Sequence, residues 1–326
     1  MRRMTDEEFS DWVSSQLVTV ESRLRESVHT PYAFVEEAAS YLMELGGKRF
    51  RPGLVLAASG LAAASGDRDE NAVISAAVVV ELTHVASLYH DDVMDEAELR
   101  RGAPTAHKRW SNSVAIMVGD FLLAQASQIG ALLGQDFMVF QAQTLARLVQ
   151  GQIGEMRAPA TPAEAINHHL DVVSNKTAAL IAASARFGGM FAGLDDDRIE
   201  ALTQYGERLG VAFQLADDVL DIISDRSGKQ PGTDLREGVP TLVPLLVREH
   251  ARSQDERLIE LLAAPVTEPD IPEALRLLRA HPALDEARSQ IRAWASEAVE
   301  LLAPFPDSAA KRALTLLCEQ AVVRTA

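Results

Sequence analysis

Residues 199–221 have the sequence IEALTQYGERLGVAFQLADDVLD, and the spacing of the apolar residues in this stretch decides the fold class. These residues recur at steps of three and four, which places them on one face of an α-helix. They are Ile199, Leu202, Tyr205, Leu209, Ala212, Phe213, Ala216, Val219 and Leu220. The same period is found along most of the chain, and no alternating run of β-branched residues predicts a sheet. We therefore expect an all-α protein.

Helical segments with this period cover nearly the whole chain, and no linker or shift in composition divides it. We predict a single domain over residues 1–326, with the most apolar helices at the centre of a bundle. The turn-rich stretch 225–234 is typical of a surface loop. The predicted helices, to within about two to four residues, span 6–28, 32–46, 53–65, 69–94, 111–133, 136–157, 162–190, 241–264 and 268–323, the last broken at Pro282 and Pro304.

The composition excludes several classes of protein. The chain of 326 residues carries 31 Lys and Arg against 47 Asp and Glu, a net charge of −16. So acidic a chain lacks the basic face that nucleic-acid binding requires. The single cysteine, Cys318, leaves no disulfide framework and fits a reducing cytoplasm. The most apolar stretch, residues 72–89, is interrupted by Glu81 and His84, so we expect no segment that crosses a membrane.

Two aspartate-rich pentapeptides each follow a strongly apolar helical segment. The first is Asp91-Asp92-Val93-Met94-Asp95, and the second is Asp217-Asp218-Val219-Leu220-Asp221. Because residues four apart lie on the same face of a helix, each cluster aims two carboxylates in one direction. Crowded carboxylates need compensating cations, and their hard oxygen atoms suit Mg²⁺ together with substrate phosphates. A single match is better explained as a solvated helix end, but two matches favour a metal site.

Basic residues accompany these clusters despite the net negative charge. Residues 46–52 have the sequence GGKRFRP, and Arg100-Arg101-Gly102 follows the first aspartate cluster. Each cation alone is explained as a surface residue, and the glycine pair alone as a helix end. Cations paired beside metal-binding carboxylates suit a ligand with two or more phosphates. The residues considered for this ligand are Lys48, Arg51, His84, Arg100, Arg101, Lys176 and Lys229.

From roughly residue 30 to residue 250, the sequence resembles the trans-isoprenyl diphosphate synthases of the polyprenyl synthetase family. The shared motifs occur in the family's order and spacing; they are GGKRFRP, His84 before the first aspartate cluster, Arg-Arg-Gly after it, Gly119-Asp120, Lys176-Thr177, FQLADD at 213–218, Gly228-Lys229 and Gly232-Thr233-Asp234. The resemblance implies an isoprenoid synthase fold, which is a helical bundle around a deep central cavity. It also implies Mg²⁺-dependent condensation of isopentenyl diphosphate with an allylic diphosphate, with trans double bonds.

The resemblance assigns roles to the residues that match the family's motifs. The expected Mg²⁺ ligands are Asp91, Asp95 and Asp217, supported by Asp92, Asp218 and Asp221. The expected contacts of the allylic diphosphate are Arg100, Lys176 and Lys229. The expected contacts of isopentenyl diphosphate are Lys48, Arg51, His84 and Arg101. Oxygen atoms of Thr177 and Gln214 are expected to face the developing allylic cation.

Small residues before the first aspartate cluster indicate a long product. Family members that stop at farnesyl usually have an aromatic residue four or five positions before the first aspartate, where this chain has Ser87 and Ala86. Small side chains leave the implied tunnel open, so we expect a product longer than C20, with a quinone side chain as a reasonable use. The chain departs from the family at Val239, where many relatives carry a second lysine, and we expect the activity to survive this change.

Four other interpretations are weighed against this one. A farnesyl or geranylgeranyl diphosphate synthase shares the motifs but makes a shorter product. A terpene cyclase normally lacks the second aspartate cluster and the cations for a second substrate. His90-Asp91 also fits a metal-dependent phosphohydrolase, for which His168-His169 is the only other clustered pair. An inactive subunit of a two-subunit synthase is expected to lose aspartates that this chain keeps. The family precedent implies a homodimer.

Overall fold

The computed structural model describes residues 4–62, 68–223 and 231–325. Helices dominate these ranges, which confirms the all-α prediction. The first seven α-helices are α1 (Asp6–Ser27), α2 (Ala33–Glu44), α3 (Phe50–Ser59), α4 (Glu70–Met94), α5 (Ala106–Arg109), α6 (Asn112–Ala131) and α7 (Gln135–Glu155). The others are α8 (Ala165–Val173), α9 (Ala179–Phe191), α10 (Asp196–Ile223), α11 (Thr233–Glu237), α12 (Leu242–Glu249), α13 (Glu256–Leu261), α14 (Ile271–Ala280), α15 (Pro282–Glu300) and α16 (Ala309–Val323). Short 3₁₀ helices cover Pro162–Glu164 and Ser253–Asp255, and a π-helix covers Ser174–Ala178.

The chain forms two compact units, each assembled from three separate segments. The first unit comprises Met1–Leu145, Ala183–Thr203 and Pro304–Leu314. The second unit comprises Ala146–Ala182, Gln204–Ala303 and Thr315–Ala326. The first aspartate cluster belongs to the first unit and the second cluster to the second unit. The single domain expected from the sequence stays a prediction.

Helix α4 lies in the core of the first unit, where it packs against α1, α3 and α6. The side chain of Asp69 begins this helix by accepting a hydrogen bond from the backbone N–H of Ala72, which satisfies one of the free donors of the first turn. Residues 76–80 are buried on every side of the helix. The helix is therefore a core element, as its nearly continuous apolar sequence predicts.

Helices α4 and α6 are both long and apolar enough to cross a membrane by length and composition alone. Within the most apolar window of α4, 78% of the residues are buried inside the protein, whereas the corresponding share for α6 is 33%. The predicted absence of a spanning segment therefore stays a prediction. Burial accounts for the apolar sequence of α4, but much of α6 presents apolar side chains at the surface of the single chain.

A small β-hairpin follows the first aspartate cluster, and within the described ranges it contains the only strands. Strand β1 (Leu99–Arg100) pairs antiparallel with β2 (Ala103–Pro104). The two residues between them, Arg101 and Gly102, have φ angles of 54° and 79°. Positive φ at both central residues is typical of tight hairpin turns, which match the twist of the strands they join. The Arg-Arg-Gly motif is therefore a hairpin turn that the helical period did not predict.

The core of the second unit is formed by apolar faces of α10, α12, α14 and α15. The breaks expected at two prolines are confirmed, since α15 begins at Pro282 and α16 begins after Pro304. The continuous helix predicted over 241–264 is wrong. Helix α12 ends at Glu249, and a carboxylate oxygen of Asp255 accepts the backbone N–H of Arg252 at 3.0 Å, which starts a separate helical turn.

Candidate active site

The first aspartate cluster occupies the C-terminal end of α4. Asp95 caps the helix, and its backbone N–H donates to the carbonyl oxygen of Asp91 at 2.8 Å. Asp91 is half-buried and Asp95 is exposed, whereas Asp92 is completely buried. The cluster thus presents the first and last carboxylates on the accessible side of the helix and turns the middle one inward, as the four-residue spacing predicts.

The inward carboxylate of Asp92 is held by the hairpin. Nε of Arg100 donates to its Oδ1 atom at 2.5 Å, while its Oδ2 atom is buried without a hydrogen-bond partner. Burial raises the pKa of Asp92, and the Arg100 guanidinium opposes that shift. Arg100 therefore compensates one of the three aspartates of the first cluster, in addition to being a candidate diphosphate contact.

Arg51 and Arg101, two of the cations predicted for isopentenyl diphosphate, lie near His84 in the first unit. Burial lowers the pKa of His84 well below its ordinary value, and Arg51, Arg101, Arg100 and Arg49 lower it further. His84 is therefore neutral at pH 7. Nε of Arg51 is buried without a hydrogen-bond partner, although the positive charge of its guanidinium persists at any physiological pH. The guanidinium groups of Arg51 and Arg101, with this unused buried donor, form an anion-binding region, whereas Arg49 and Arg100 are paired with carboxylates.

Arg49 organises the glycine-rich segment, a role that sequence reasoning missed. It adopts a left-handed conformation with φ of 46° just before α3 begins. Its Nη1 atom donates to Oε1 of the buried Glu81 at 2.8 Å, its Nη2 atom donates to the carbonyl oxygen of Met43 at 3.0 Å, and its guanidinium also pairs with Glu21. The carboxylate partners lie 28 and 32 residues away in sequence, so no local pattern reveals them. Lys48, beside it, is exposed.

The second aspartate cluster occupies the C-terminal part of α10. Asp217 forms an ion pair with Arg324, in which Oδ1 of Asp217 lies 2.7 Å from Nη2 of Arg324. The two carboxylate oxygens of Asp221 accept the backbone N–H groups of Thr233 and Asp234, each at 3.1 Å. Asp221 therefore anchors the segment that begins α11, and Arg324 is a partner of the predicted metal ligand that sequence reasoning missed.

Hydrogen bonds connect Thr177 and Gln214, the residues expected to face the allylic cation, to the second cluster. The hydroxyl of Thr177 donates to Oε1 of Gln214 at 3.0 Å, and Nε2 of Gln214 donates to Oδ1 of Asp218 at 3.0 Å. Because a carboxylate only accepts, Asp218 fixes the orientation of the Gln214 amide. Nε2 of His169 lies 3.2 Å from Oδ2 of Asp218, yet both atoms are buried without a hydrogen bond. His169 is a further residue of this site that sequence reasoning did not assign.

Lys176 and Thr177 lie in the π-helix between α8 and α9, so the helical segment predicted over 162–190 is present but includes a π-helical turn at this point. The ammonium group of Lys176 pairs with the carboxylate of Glu155. Single-turn π-helices inserted between α-helices frequently occur at functional sites. The positions of Lys176 and Thr177 thus depend on this single π-helical turn.

The remaining predicted residues fall in three different settings. Lys229, and with it Gly228, lies outside the described residues. Ala86 is completely buried in α4. Ser87 is half-buried and donates its hydroxyl to the carbonyl oxygen of His84 at 2.9 Å. Both candidate length-determining positions therefore carry small side chains on the helix that leads to Asp91.

The donor sets of both clusters fit a hard divalent cation that is shared with a substrate. Asp92 and Asp218 each keep one buried carboxylate oxygen without a hydrogen-bond partner. Within residues 4–62, 68–223 and 231–325, no three His, Cys, Asp or Glu side chains converge into a complete metal site. Phosphate oxygens and water are the ligands with which Mg²⁺ usually completes such partial sets.

His90, the histidine of the phosphohydrolase interpretation, is engaged elsewhere. Its Nε2 atom lies 3.1 Å from the carbonyl oxygen of Ile116 and 3.4 Å from Oδ1 of Asp120. A Cβ atom added to Gly119 would lie 2.2 Å from the same ring nitrogen. Gly119 therefore leaves room for this ring against α6, and the Gly119-Asp120 motif is explained by packing around His90.

Comparisons with known proteins find relatives along nearly the whole chain. The family model described as Polyprenyl synthetase matches residues 32–278. A nonaprenyl diphosphate synthase of Mycobacterium tuberculosis is 42% identical over 323 residues, covering 98% of this chain and 95% of the relative. The structure of a decaprenyl diphosphate synthase from Rhodobacter capsulatus superposes with a TM-score of 0.88 at 31% identity, covering 99% of this chain and 100% of that one. A geranylgeranyl pyrophosphate synthase from Corynebacterium glutamicum, complexed with calcium and isoprenyl diphosphate, gives a TM-score of 0.88 at 36% identity, covering 100% of this chain and 99% of that one.

Proposed function

The chain belongs to the polyprenyl synthetase family, and from that premise we propose that it elongates an allylic diphosphate with isopentenyl diphosphate to a polyprenyl diphosphate longer than C20. The observation that carries this proposal is the anion-binding region around His84 in the first unit, formed by Arg51, whose buried Nε lacks a hydrogen-bond partner, and Arg101. An enzyme that ionises one allylic diphosphate and cyclises it needs no such region for a second diphosphate.

Different site residues are assigned to each of the two substrates. We assign Lys48, Arg51, His84 and Arg101 to isopentenyl diphosphate, and Arg100, Lys176 and Lys229 to the allylic diphosphate. Arg51 brings a buried donor that lacks a protein partner, and neutral His84 donates or accepts a hydrogen bond without adding charge. Fixed guanidinium groups bind phosphate oxygens through two parallel hydrogen bonds and need no rearrangement during the reaction.

The carboxylates of Asp91, Asp95 and Asp217 are assigned to Mg²⁺, with Asp92, Asp218 and Asp221 in support. When bound, Mg²⁺ neutralises the negative charge that grows on the leaving diphosphate. The hydroxyl oxygen of Thr177 keeps its lone pairs free of the bond that it donates to Gln214, so it stabilises positive charge on the allylic carbon. The buried carboxylate of Asp218 holds Gln214 in the orientation that this requires.

The proposed reaction requires no protein side chain as a general base, because the departing diphosphate accepts the proton. The carbon–oxygen bond of the allylic diphosphate breaks, and the terminal double bond of isopentenyl diphosphate forms the new carbon–carbon bond. The resulting cation loses a proton to the departing diphosphate and regenerates an allylic double bond. Exclusion of water from the allylic carbon is essential, because water would otherwise capture the cation.

Product length is proposed from the small side chains of Ala86 and Ser87, which lie on α4 one turn before Asp91. A growing chain meets no aromatic ring at these positions, in agreement with the long products named for the nonaprenyl and decaprenyl relatives. The relative from Corynebacterium glutamicum is named as a geranylgeranyl pyrophosphate synthase, so a product no longer than C20 is the alternative that the experiment must distinguish. A quinone side chain is the proposed destination of the product.

A homodimer is proposed from the exposed apolar residues of α6. Ile116 and Met117 are 44% and 70% exposed in the single chain, on a helix whose composition suits burial. An apolar helix face of this kind is typically covered by a partner, and a second copy of the chain is the partner proposed here. Light scattering should give twice the chain mass of 35.4 kDa, and Met117→Glu should shift the protein toward the monomer. A cytoplasmic location is proposed from the single cysteine.

The reaction class is tested with labelled isopentenyl diphosphate. Purified protein should incorporate the label into an extractable product only when both an allylic diphosphate and Mg²⁺ are present. Chelation of the metal should abolish incorporation. An allylic diphosphate that is consumed at the same rate without isopentenyl diphosphate would instead indicate a cyclase, and tightly bound transition metal after purification would indicate a phosphohydrolase.

A further inference from the structure

We infer that one face of α7 is a cradle that positions the π-helix carrying Lys176 and Thr177, and that Arg147 and Gly151 are positioning residues for the allylic diphosphate. The inference rests on the proposed function, because it concerns the same site. Arg147, Gly151 and Glu155 are spaced four residues apart and therefore lie along one face of the helix. All three belong to the second unit, as does the π-helix.

Arg147 fixes the first turn of the π-helix. Its Nε atom donates to Oδ1 of Asn175 at 3.0 Å, and its Nη2 atom donates to the carbonyl oxygen of Ser174 at 3.3 Å and to the hydroxyl of Ser174 at 3.2 Å. Glu207 on α10 pairs with the same guanidinium through both of its carboxylate oxygens. One planar side chain thus holds the two residues that precede Lys176 and ties them to α10.

Gly151 sets the distance between α7 and the π-helix. A Cβ atom at this position would lie 2.4 Å from the backbone nitrogen and 2.8 Å from the Cα atom of Lys176. These contacts are with main-chain atoms, which cannot move aside as a flexible side chain can. Glycine is therefore required here by close packing of two backbones, and any larger residue displaces Lys176.

Glu155 completes the cradle by pairing with the Lys176 ammonium. This ion pair fixes the position of the ammonium group when no diphosphate is bound. A diphosphate must compete with the Glu155 carboxylate for the ammonium group. A π-helix is rare and occurs mostly as a single turn inserted within α-helices. The cradle therefore supplies the contacts that keep Lys176 and Thr177 in this unusual conformation.

The role of Gly151 is tested with Gly151→Ala against the matched control Gly154→Ala on the same helix. A Cβ atom at Gly154 meets only a methyl group of Val172, at 3.2 Å, and no predicted site residue. We expect Gly151→Ala to lower kcat/KM for the allylic diphosphate by about 10²-fold, as small displacements of positioning groups do. The KM for isopentenyl diphosphate should change less than twofold, and Gly154→Ala should behave like the wild type.

The role of Arg147 is tested by separating stability from kinetics. Arg147→Gln leaves the carboxylate of Glu207, which is 19% exposed, without its partner, so the melting temperature should fall. Arg147→Gln should also raise the KM for the allylic diphosphate, because Lys176 is no longer positioned. In the double variant Arg147→Gln/Glu207→Gln the melting temperature should recover, whereas this KM should remain raised. The pair Arg208→Gln and Glu297→Gln is the control, because this ion pair also joins α10 to another helix but contacts neither Lys176 nor Thr177.

Three outcomes overturn the inference. The first is that Gly151→Ala or Arg147→Gln changes the KM for both substrates equally. The second is that the KM for the allylic diphosphate recovers together with the melting temperature in the double variant. The third is that a folded Gly151→Ala protein has wild-type kinetics. A wild-type protein that incorporates no isopentenyl diphosphate at all would overturn the proposed function instead. Binding of the allylic diphosphate to the variants, measured by calorimetry, then still decides whether the cradle positions Lys176.

Discussion

Nη2 of Arg324, near the C-terminal end of the chain, donates to Oδ1 of Asp217 at 2.7 Å. The guanidinium also lies over the ring of Phe213, with its central carbon 5.1 Å from the ring centroid. A cation of the chain therefore pairs with the carboxylate that is assigned to Mg²⁺ in the second aspartate cluster. Metal binding at Asp217 must displace this partner or share the carboxylate with it.

Arg324→Gln should lower the Mg²⁺ concentration that gives half-maximal activity. Both members of the pair are more than a third exposed, so the competition is worth about 1 kcal/mol at most, or up to about fivefold in Mg²⁺ concentration. Initial rates over a Mg²⁺ series, at saturating concentrations of both substrates, measure the effect. A higher Mg²⁺ requirement in the variant would show that Arg324 assists the metal site or the diphosphate and does not compete with Mg²⁺.

Asp91→Asn and Asp217→Asn should each reduce kcat by about 10²-fold or more, because each removes a charged oxygen ligand where charge develops on the leaving group. The exposed Asp11→Asn on α1 serves as the control for loss of one negative charge. Steady-state rates and Mg²⁺ titrations of the three variants make the comparison. Full activity in Asp91→Asn or in Asp217→Asn would show that the substituted aspartate is not a metal ligand.

Ala86→Phe and Ser87→Phe should shorten the product, because an aromatic ring placed one turn before Asp91 blocks a chain growing along α4. Ala86 is completely buried and Ser87 is half-buried, so the second variant keeps the test available if the first does not fold. Ser10→Phe, at an exposed position on α1, controls for the added ring. Mass spectrometry of the dephosphorylated products gives their length. Products of unchanged length from folded variants would contradict the open-tunnel argument.

Acid should destabilise the protein through His84. The folded state holds the pKa of His84 below its ordinary value, so the unfolded state binds the extra proton first as pH falls. Stability is therefore lost below the ordinary pKa of about 6.5, at no more than about 1.4 kcal/mol per pH unit from this group. Urea unfolding at pH 7.5 and pH 5.5 should show a smaller loss for His84→Gln than for the wild type. The exposed His250→Gln is the control, and equal losses in all three proteins would contradict the assignment.

The helices and the aspartate clusters were predictable because their signals are local. The three- and four-residue period of 199–220 and the four-residue spacing within each cluster depend only on helix geometry. The hairpin at Arg101 was not predicted because its two-residue strands are too short to carry an alternating pattern. The π-helix at Lys176 was not predicted because its backbone packs against α7, which is distant in sequence. Gly151 allows such a contact, but its sequence neighbourhood is that of an ordinary helix.

Partners of the site residues were missed for the same reason. Arg49 meets Glu21 and Glu81, Arg324 meets Asp217, and His169 approaches Asp218, all across separations that no periodic pattern reports. The motifs predict the residues to which we assign the chemistry. The tertiary structure identifies the residues that orient and compensate them, since burial is what makes an uncompensated charge costly.

The size of the product tests the proposed function most directly. Purified protein is incubated with Mg²⁺, labelled isopentenyl diphosphate and either farnesyl or geranylgeranyl diphosphate, and the dephosphorylated products are sized by mass spectrometry. We expect a ladder of products that ends above C20 and disappears in Asp91→Asn. Products that stop at C15 or C20 would contradict the proposed chain length, and no elongation from either primer would contradict the proposed reaction.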